Sequence, residues 1–205
     1  MSENWHQHLK NKNREELVAA GKELFLQMGF LQVNIKDVCD RAGISRVTFY
    51  KHFQGMDELI FQVQMDLLEF MAQFVTEKAD AGANSRDKLA AMLEAWVDFA
   101  RVQPGCIKFI LMFDLHYAAY EDNPELKEDY NRFIREKKEQ HFLREALEEG
   151  IRQGLLRPGM DTVETAQFLF TAMLGLLQKL ILAPQGEWGN IPREFVDMLI
   201  RHVSI

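Results

Sequence analysis

The sequence predicts an all-α protein: a three-helix helix-turn-helix domain over residues 1–55, then a larger helical domain over 56–205, about nine helices in all. Three observations carry this prediction. Apolar residues recur at three- and four-residue spacing through most of the chain. β-Branched runs and hairpin signals are scarce. The five prolines and twelve glycines mostly punctuate helical stretches. With 205 residues, 47% hydrophobic and 27% charged, the chain has the composition of a globular protein and can bury a substantial core.

The opening dozen residues are polar, and a mobile tail is expected. Lys10, Lys12 and Arg14 follow, where a basic arm touches phosphates or a minor groove, or is simply solvated. The first helix is expected over 13–28, with Leu17, Ala20, Leu24, Phe25 and Met28 on one side and Gly29 ending it.

The stretch from Asn34 to Phe53, NIKDVCDRAGISRVTFYKHF, predicts two short helices joined by a tight turn. Asn34 caps the first, over 35–42, with Asp37 favoured in its first turn. Gly43 supplies the positive φ of the turn, and Ser45 caps the second helix. Ile35, Val38, Cys39, Ala42, Ile44, Val47 and Phe53 fit a buried face. Arg46, Thr48, Tyr50, Lys51 and His52 remain outside: the cations neutralise phosphates or read guanine, and the other three donate hydrogen bonds to phosphate oxygens. Asn34, Lys36, Ser45 and Val47, at the two helix starts, are counted with them as candidate contacts.

The run Phe25-x3-Gly29, Asp37-Val38, Ala42-Gly43-Ile44-Ser45, Thr48-Phe49-Tyr50-x-His52-Phe53 and Asp57-Glu58-Leu59 resembles the N-terminal domain of the TetR/AcrR family of bacterial transcriptional regulators. The likeness covers about Arg14 to Leu59; beyond it the chain is similar only in length and helical character. The resemblance implies a homodimer on double-stranded, palindromic operator DNA, usually a repressor, released when a small molecule enters the C-terminal ligand-binding and dimerisation domain. Two departures stand out. Asn34 replaces the common Thr and keeps its capping function, whereas Gly55-Met56 replaces a common Ser-Lys and removes a cationic phosphate contact. Backbone N–H groups at that helix start remain to hold a phosphate.

Helix four, over 56–79, carries two apolar rows: Ile60, Val63, Leu67, Phe70, Phe74 and Phe61, Met65, Leu68, Ala72, Val75. A face this wide links the N-terminal domain to a second core, which places the boundary near residue 55. Helix five, over 85–102, turns Leu89, Met92, Leu93, Trp96, Phe99 and Ala100 inward, and Pro104-Gly105 is expected to stop it. Helix six runs over 106–120 and a long helix over 124–153. Thr165 to Gln178, TAQFLFTAMLGLLQ, is uncharged and apolar nearly all round, yet too short to span a membrane, so one face is expected to pack in its own domain and the other on a partner. With the amphipathic last helix it predicts a homodimer interface over 162–182 and 192–203.

The net charge of −7 runs against nucleic acid, but it is divided: residues 1–55 carry +2 and 56–205 carry −9. Local field steers association more than the total. Cys39 and Cys106 lie far apart with no CxxC or Cys/His ligand spacing, so two buried thiols and no metal are expected. No signal-peptide core and no membrane-length apolar run is found, which predicts a cytoplasmic protein. No catalytic order, phosphate loop or cofactor motif appears, so neither an enzyme nor a cofactor is expected.

A pocket for a small apolar ligand is expected from Phe61, Met65, Trp96, Phe99, Phe109, Met112, Phe113, Phe133 and Phe168, with His116 and Tyr117 orienting a polar group. Each of these residues also suits an ordinary core. Two alternatives stay open: a helical ligand-binding or interaction module with weakened DNA affinity, and an activator of the same fold.

Overall fold

The computed structural model describes residues 2–80, 82–116, 123–138, 143–183 and 187–205, with the side chains of 2–10 and 133–138 left aside. The all-α prediction holds, with no strand among the described residues beyond an isolated Leu156–Ser204 bridge. Contacts divide the chain into two compact units, Met1–Leu67 with Met112–Asn131, and Leu68–Leu111 with Arg132–Ile205.

The first unit begins with α1 (Ser2–Met28). Its helix starts well before residue 13, because no Gly or Pro interrupts the polar opening and pairs such as Lys12–Glu16, 3.7 Å apart, suit a helix. Leu17, Ala20 and Phe25 are buried as expected, whereas Met28 is exposed. Gly29 at φ 83° leads into a single 3-10 turn, Phe30–Gln32. Next come α2 (Ile35–Ala42), α3 (Arg46–Phe49) and α4 (Met56–Ala79), which crosses into the second unit at residue 68. α2 packs on α1 and on α3.

The α4 rows differ from those expected. Ile60, Val63, Gln64, Leu67, Met71 and Val75 are buried, while Phe70 is exposed and Met65, Leu68, Ala72 and Phe74 are half-buried. Of the second row Phe61 and Val75 are buried and the rest are not, so along most of its length the helix turns one stripe inward instead of two, and a glutamine lies in it.

In the second unit α5 (Ser85–Val102) is central and packs on α8 (Leu143–Arg152), α9 (Thr162–Leu182) and α10 (Ile191–Val203). All six side chains expected to face inward from α5 are buried. Asn84 caps it, accepting from Asp87 N at 3.0 Å. Pro104-Gly105 does not merely end it: α5 stops at Val102, and Pro104 opens α6 (Pro104–His116), where a helix start tolerates the missing N–H. Of the long helix expected over 124–153, the described residues form α7 (Pro124–Lys138) and α8; residues 139–142 lie outside the description. The count is therefore ten α-helices among the described residues.

α9 is longer than its uncharged core. By length and composition it reaches what a membrane span needs, with mean hydropathy 1.4 over its most apolar window, which corrects the expectation that the segment is too short. Its Glu164 and Lys179 and its packing on α5 and α8 make it a helix of this unit. Trp188 pins its end, donating from Nε1 to the Leu180 carbonyl at 3.0 Å beneath the Arg101 guanidinium.

Candidate nucleic-acid interface and ligand cavities

Local chemistry sets the helix-turn-helix. The Asn34 side-chain oxygen accepts from Lys36 N at 2.9 Å and Asp37 N at 3.2 Å, while Asp37 accepts from Asn34 N at 3.0 Å. This capping box fixes where α2 begins. Gly43, at φ 68°, ends it in the left-handed conformation that favours glycine. Ser45 Oγ accepts from Thr48 N at 3.1 Å and lies 3.0 Å from the Thr48 hydroxyl. After Phe49 the chain tightens: His52 N donates to Phe49 O at 2.8 Å and Lys51 N to Thr48 O at 3.1 Å.

One inward position differs from the sequence expectation. Val47 is 71% exposed and Phe49 is fully buried, meeting the rings of Tyr50 and Phe53 at 5.5 and 5.6 Å. Two residues apart on a helix point to nearly opposite sides, so Val47 and Phe49 cannot both face inward, and the larger ring takes the core. The signal was the four-residue spacing of Phe49 and Phe53. Ile35, Ala42 and Ile44 are half-buried; Val38, Cys39 and Phe53 are buried. Burial pushes the Cys39 thiol above its ordinary range.

The outward set gathers on one side. Asn34, Lys36, Arg46 and Tyr50 line an open groove of about 620 Å³ with Val33, Ile35 and Met56. Arg46 and Lys51 are exposed, and neither has an ion pair among the described residues. Lys36 is different: its ammonium sits 2.6 Å from Asp40, which holds it above the ordinary lysine range and offsets its charge. Thr48 and His52 are half-buried, Ser45 exposed. Arg14 does not belong to a free basic arm. Its guanidinium donates to Gln62 Oε1 at 2.7 Å and lies 5.0 Å over the Phe53 ring, tying α1 to α4 and to the end of the helix-turn-helix. The side chain of Lys10 lies outside the described residues.

The candidate ligand residues fall in both units. In the first, Phe61 meets Tyr130 edge-on at 5.7 Å, and Tyr130 packs on Phe113 at 5.4 Å. The Tyr130 hydroxyl donates to Asp114 at 3.0 Å; desolvation still raises that carboxyl above its usual range, although part of the residue reaches solvent. His116 stands edge-on to Phe30, and Met65 and Met112 are half-buried. In the second unit, Trp96 lines a small apolar cavity with Met71, Ile107, Ile110, Phe170 and Leu177. Phe99 and Phe109 are core, the former against Phe70 and Phe74. Phe168 is 52% exposed beside His202, on an outer face. Tyr117 and the Phe133 side chain lie outside the described residues. Sequence reasoning passed over Phe170, which meets Trp96 at 5.5 Å and also lines a groove of about 620 Å³ between α8 and α9 with Leu143, Val163, Ala166 and Leu174.

Residues 17–63 match the bacterial regulatory proteins, tetR family, and residues 85–187 match the Tetracyclin repressor-like C-terminal domain. The chain belongs to the TetR family. Among its relatives, the transcriptional activator FasR of Mycolicibacterium smegmatis is 28% identical over 109 residues, 53% of this chain and 49% of that protein. The chain thus matches about half the length of FasR. The transcriptional repressor KstR2 of Mycobacterium tuberculosis is 22% identical over 163 residues, 78% of this chain and 76% of its own. FadR of Bacillus subtilis, solved in complex with stearoyl-CoA, shares the fold with a TM-score of 0.70 at 16% identity, covering 92% of this chain and 98% of that one. The TetR family and these relatives are DNA-binding transcriptional regulators, repressors and activators both.

Proposed function

We propose that the chain is a ligand-responsive homodimeric repressor that binds a palindromic operator and is not an enzyme. The observation that carries this is the surface around α3, where Arg46, Val47, Tyr50 and Lys51 stand exposed on a helix-turn-helix fixed by two caps and a left-handed glycine. Arg46 and Lys51 contact phosphate or guanine, Tyr50 donates to a phosphate, and the Val47 methyls suit a thymine methyl. Asn34, Lys36, Ser45, Thr48 and His52 hold the register of that surface on the backbone.

Dimerisation is supported by an exposed stripe on α9. Phe168, Thr171, Gly175, Gln178 and Leu182 recur at three- and four-residue spacing and are all exposed. Met198 and His202 continue an exposed row on α10. A second copy through 162–182 and 192–203 covers both rows and sets two α3 helices in successive major grooves, roughly 34–36 Å apart.

The helical body takes a small apolar molecule, in keeping with the acyl chain of the stearoyl-CoA in the B. subtilis FadR structure. Ligand favours a state whose heads no longer fit the operator spacing, and operator DNA weakens ligand binding by the same factor. Such a regulator works in the cytoplasm, with α4 as the lever between a head over 1–55 and a body over 56–205. FasR, an activator, motivates a second reading with the same chemistry and a different operator position.

The test is selection of bound sequences from a random duplex pool, with the mass of the protein in solution recorded alongside. A dimer enriching an inverted repeat is expected, with Arg46→Ala and Tyr50→Ala folded but unable to hold it. Retained specific binding by both variants refutes the assigned surface. No enrichment leaves a helical module with weakened DNA affinity, the outcome that Gly55-Met56 would explain.

A further inference from the structure

Gln64 lies in the stripe of α4 that is otherwise apolar. It is 0% exposed, and among the described residues neither its Oε1 nor its Nε2 has a hydrogen-bond partner. Ile60, Val63 and Leu67 beside it are buried as well. An amide taken out of water with both atoms unsatisfied is costly, and an apolar side chain of similar length fills such a place at lower cost. Buried polar groups without partners are uncommon enough to need a reason.

Its surroundings supply one. Gln64 is one turn beyond Phe61 and on the same side of α4. Phe61 meets Tyr130, and Tyr130 packs on Phe113, so that side of the helix leads to an aromatic wall within the first unit. The Tyr130 hydroxyl is engaged by Asp114. The Gln64 amide is therefore a polar group beside that wall whose capacity the protein itself does not use.

We propose that Gln64 is the polar anchor for the molecule that regulates this chain, and that this molecule is neutral, with an apolar body carrying a carbonyl, carboxamide or hydroxyl group. The proposal rests on the ligand-responsive reading above. A carboxamide has two donors and an acceptor, so it pairs with groups that accept, donate or do both. A carboxylate is the wrong match: the buried polar side chains among the described residues are Gln64 and Ser85, and no buried cation stands there to offset an anion.

Gln64→Met removes both polar atoms at nearly constant length, and Gln64→Leu serves as a second variant. The full-length protein is titrated with decanamide and 1-decanol, with decanoate as the anionic control, followed by tryptophan fluorescence and thermal unfolding. Wild type is expected to prefer decanamide and decanol over decanoate. Gln64→Met should bind the first two about tenfold more weakly, bind decanoate unchanged, and melt at or above the wild-type temperature without ligand. Equal affinity in a folded variant overturns the proposal, as does a wild-type preference for decanoate or no binding of any probe. Lower melting temperatures in both variants also overturn it, because the amide is then satisfied in solution.

DNA retention by the same samples separates the two readings. Probe binding that leaves retention unchanged refutes the ligand-responsive reading itself. Release of DNA from wild type and both variants at equal probe concentration refutes the anchor alone.

Discussion

Phe49 and Val47 sit two residues apart on α3, and the structure assigns them opposite roles that a pair of truncations separates. Phe49 is fully buried between Tyr50 and Phe53. Removing a buried ring withdraws about 150 Å² of apolar surface, worth about 4 kcal/mol at about 25 cal/mol per Å². Measured phenylalanine truncations in cores cost about 3–5 kcal/mol. Val47 is 71% exposed, so Val47→Ala loses little packing and should cost under about 0.5 kcal/mol. Urea unfolding followed by circular dichroism reads the difference. With a slope near about 2 kcal/mol per molar, Phe49→Ala should lower the midpoint of the first unit by about 2 M, and Val47→Ala should leave it in place. DNA binding then reverses the order of interest: Val47→Ala stays folded and loses preference at one base pair, by about 1 kcal/mol or more. A destabilisation by Val47→Ala matching that of Phe49→Ala would refute the assignment of the inward face.

Three further outcomes follow from named contacts. Asn34→Ala removes the acceptor for Lys36 N and Asp37 N and should cost about 1 kcal/mol in thermal unfolding, with Asn34→Ser restoring most of it. Gly150→Ala places a Cβ 2.5 Å from the Leu156 Cδ1, beside the isolated bridge that ties the end of the chain to the turn after α8; a loss of about 1–3 kcal/mol is expected, and a neutral variant would show that this turn yields freely. Cys39 should resist iodoacetamide in the native protein and react once urea exposes it, because burial keeps the thiol protonated. The unfolded chain gives up that proton first as pH rises, so the thiol makes no difference below its ordinary range and lowers stability above it.

The sequence by itself determined what nearest neighbours decide. Asn34, Gly43 and Ser45 act on backbone groups within four residues, so the limits of α2 and the turn to α3 were readable in the chain. The inward face of α5 was readable for the same reason, since a regular helix repeats its own stripe. Tertiary structure decided where two local solutions compete or where a partner lies far along the chain. Phe49 displaced Val47 because only one of them can reach the shared core. Arg14 joined Phe53 and Gln62, the latter 48 residues away, and so left the basic arm in which its local sequence had placed it. On α4 the periodicity allowed two rows, and beyond Phe61 packing chose mainly one stripe, which includes Gln64. Whether a buried amide finds a partner depends on every helix around it, which is why nothing in the residues flanking Gln64 announced that it has none among the described residues.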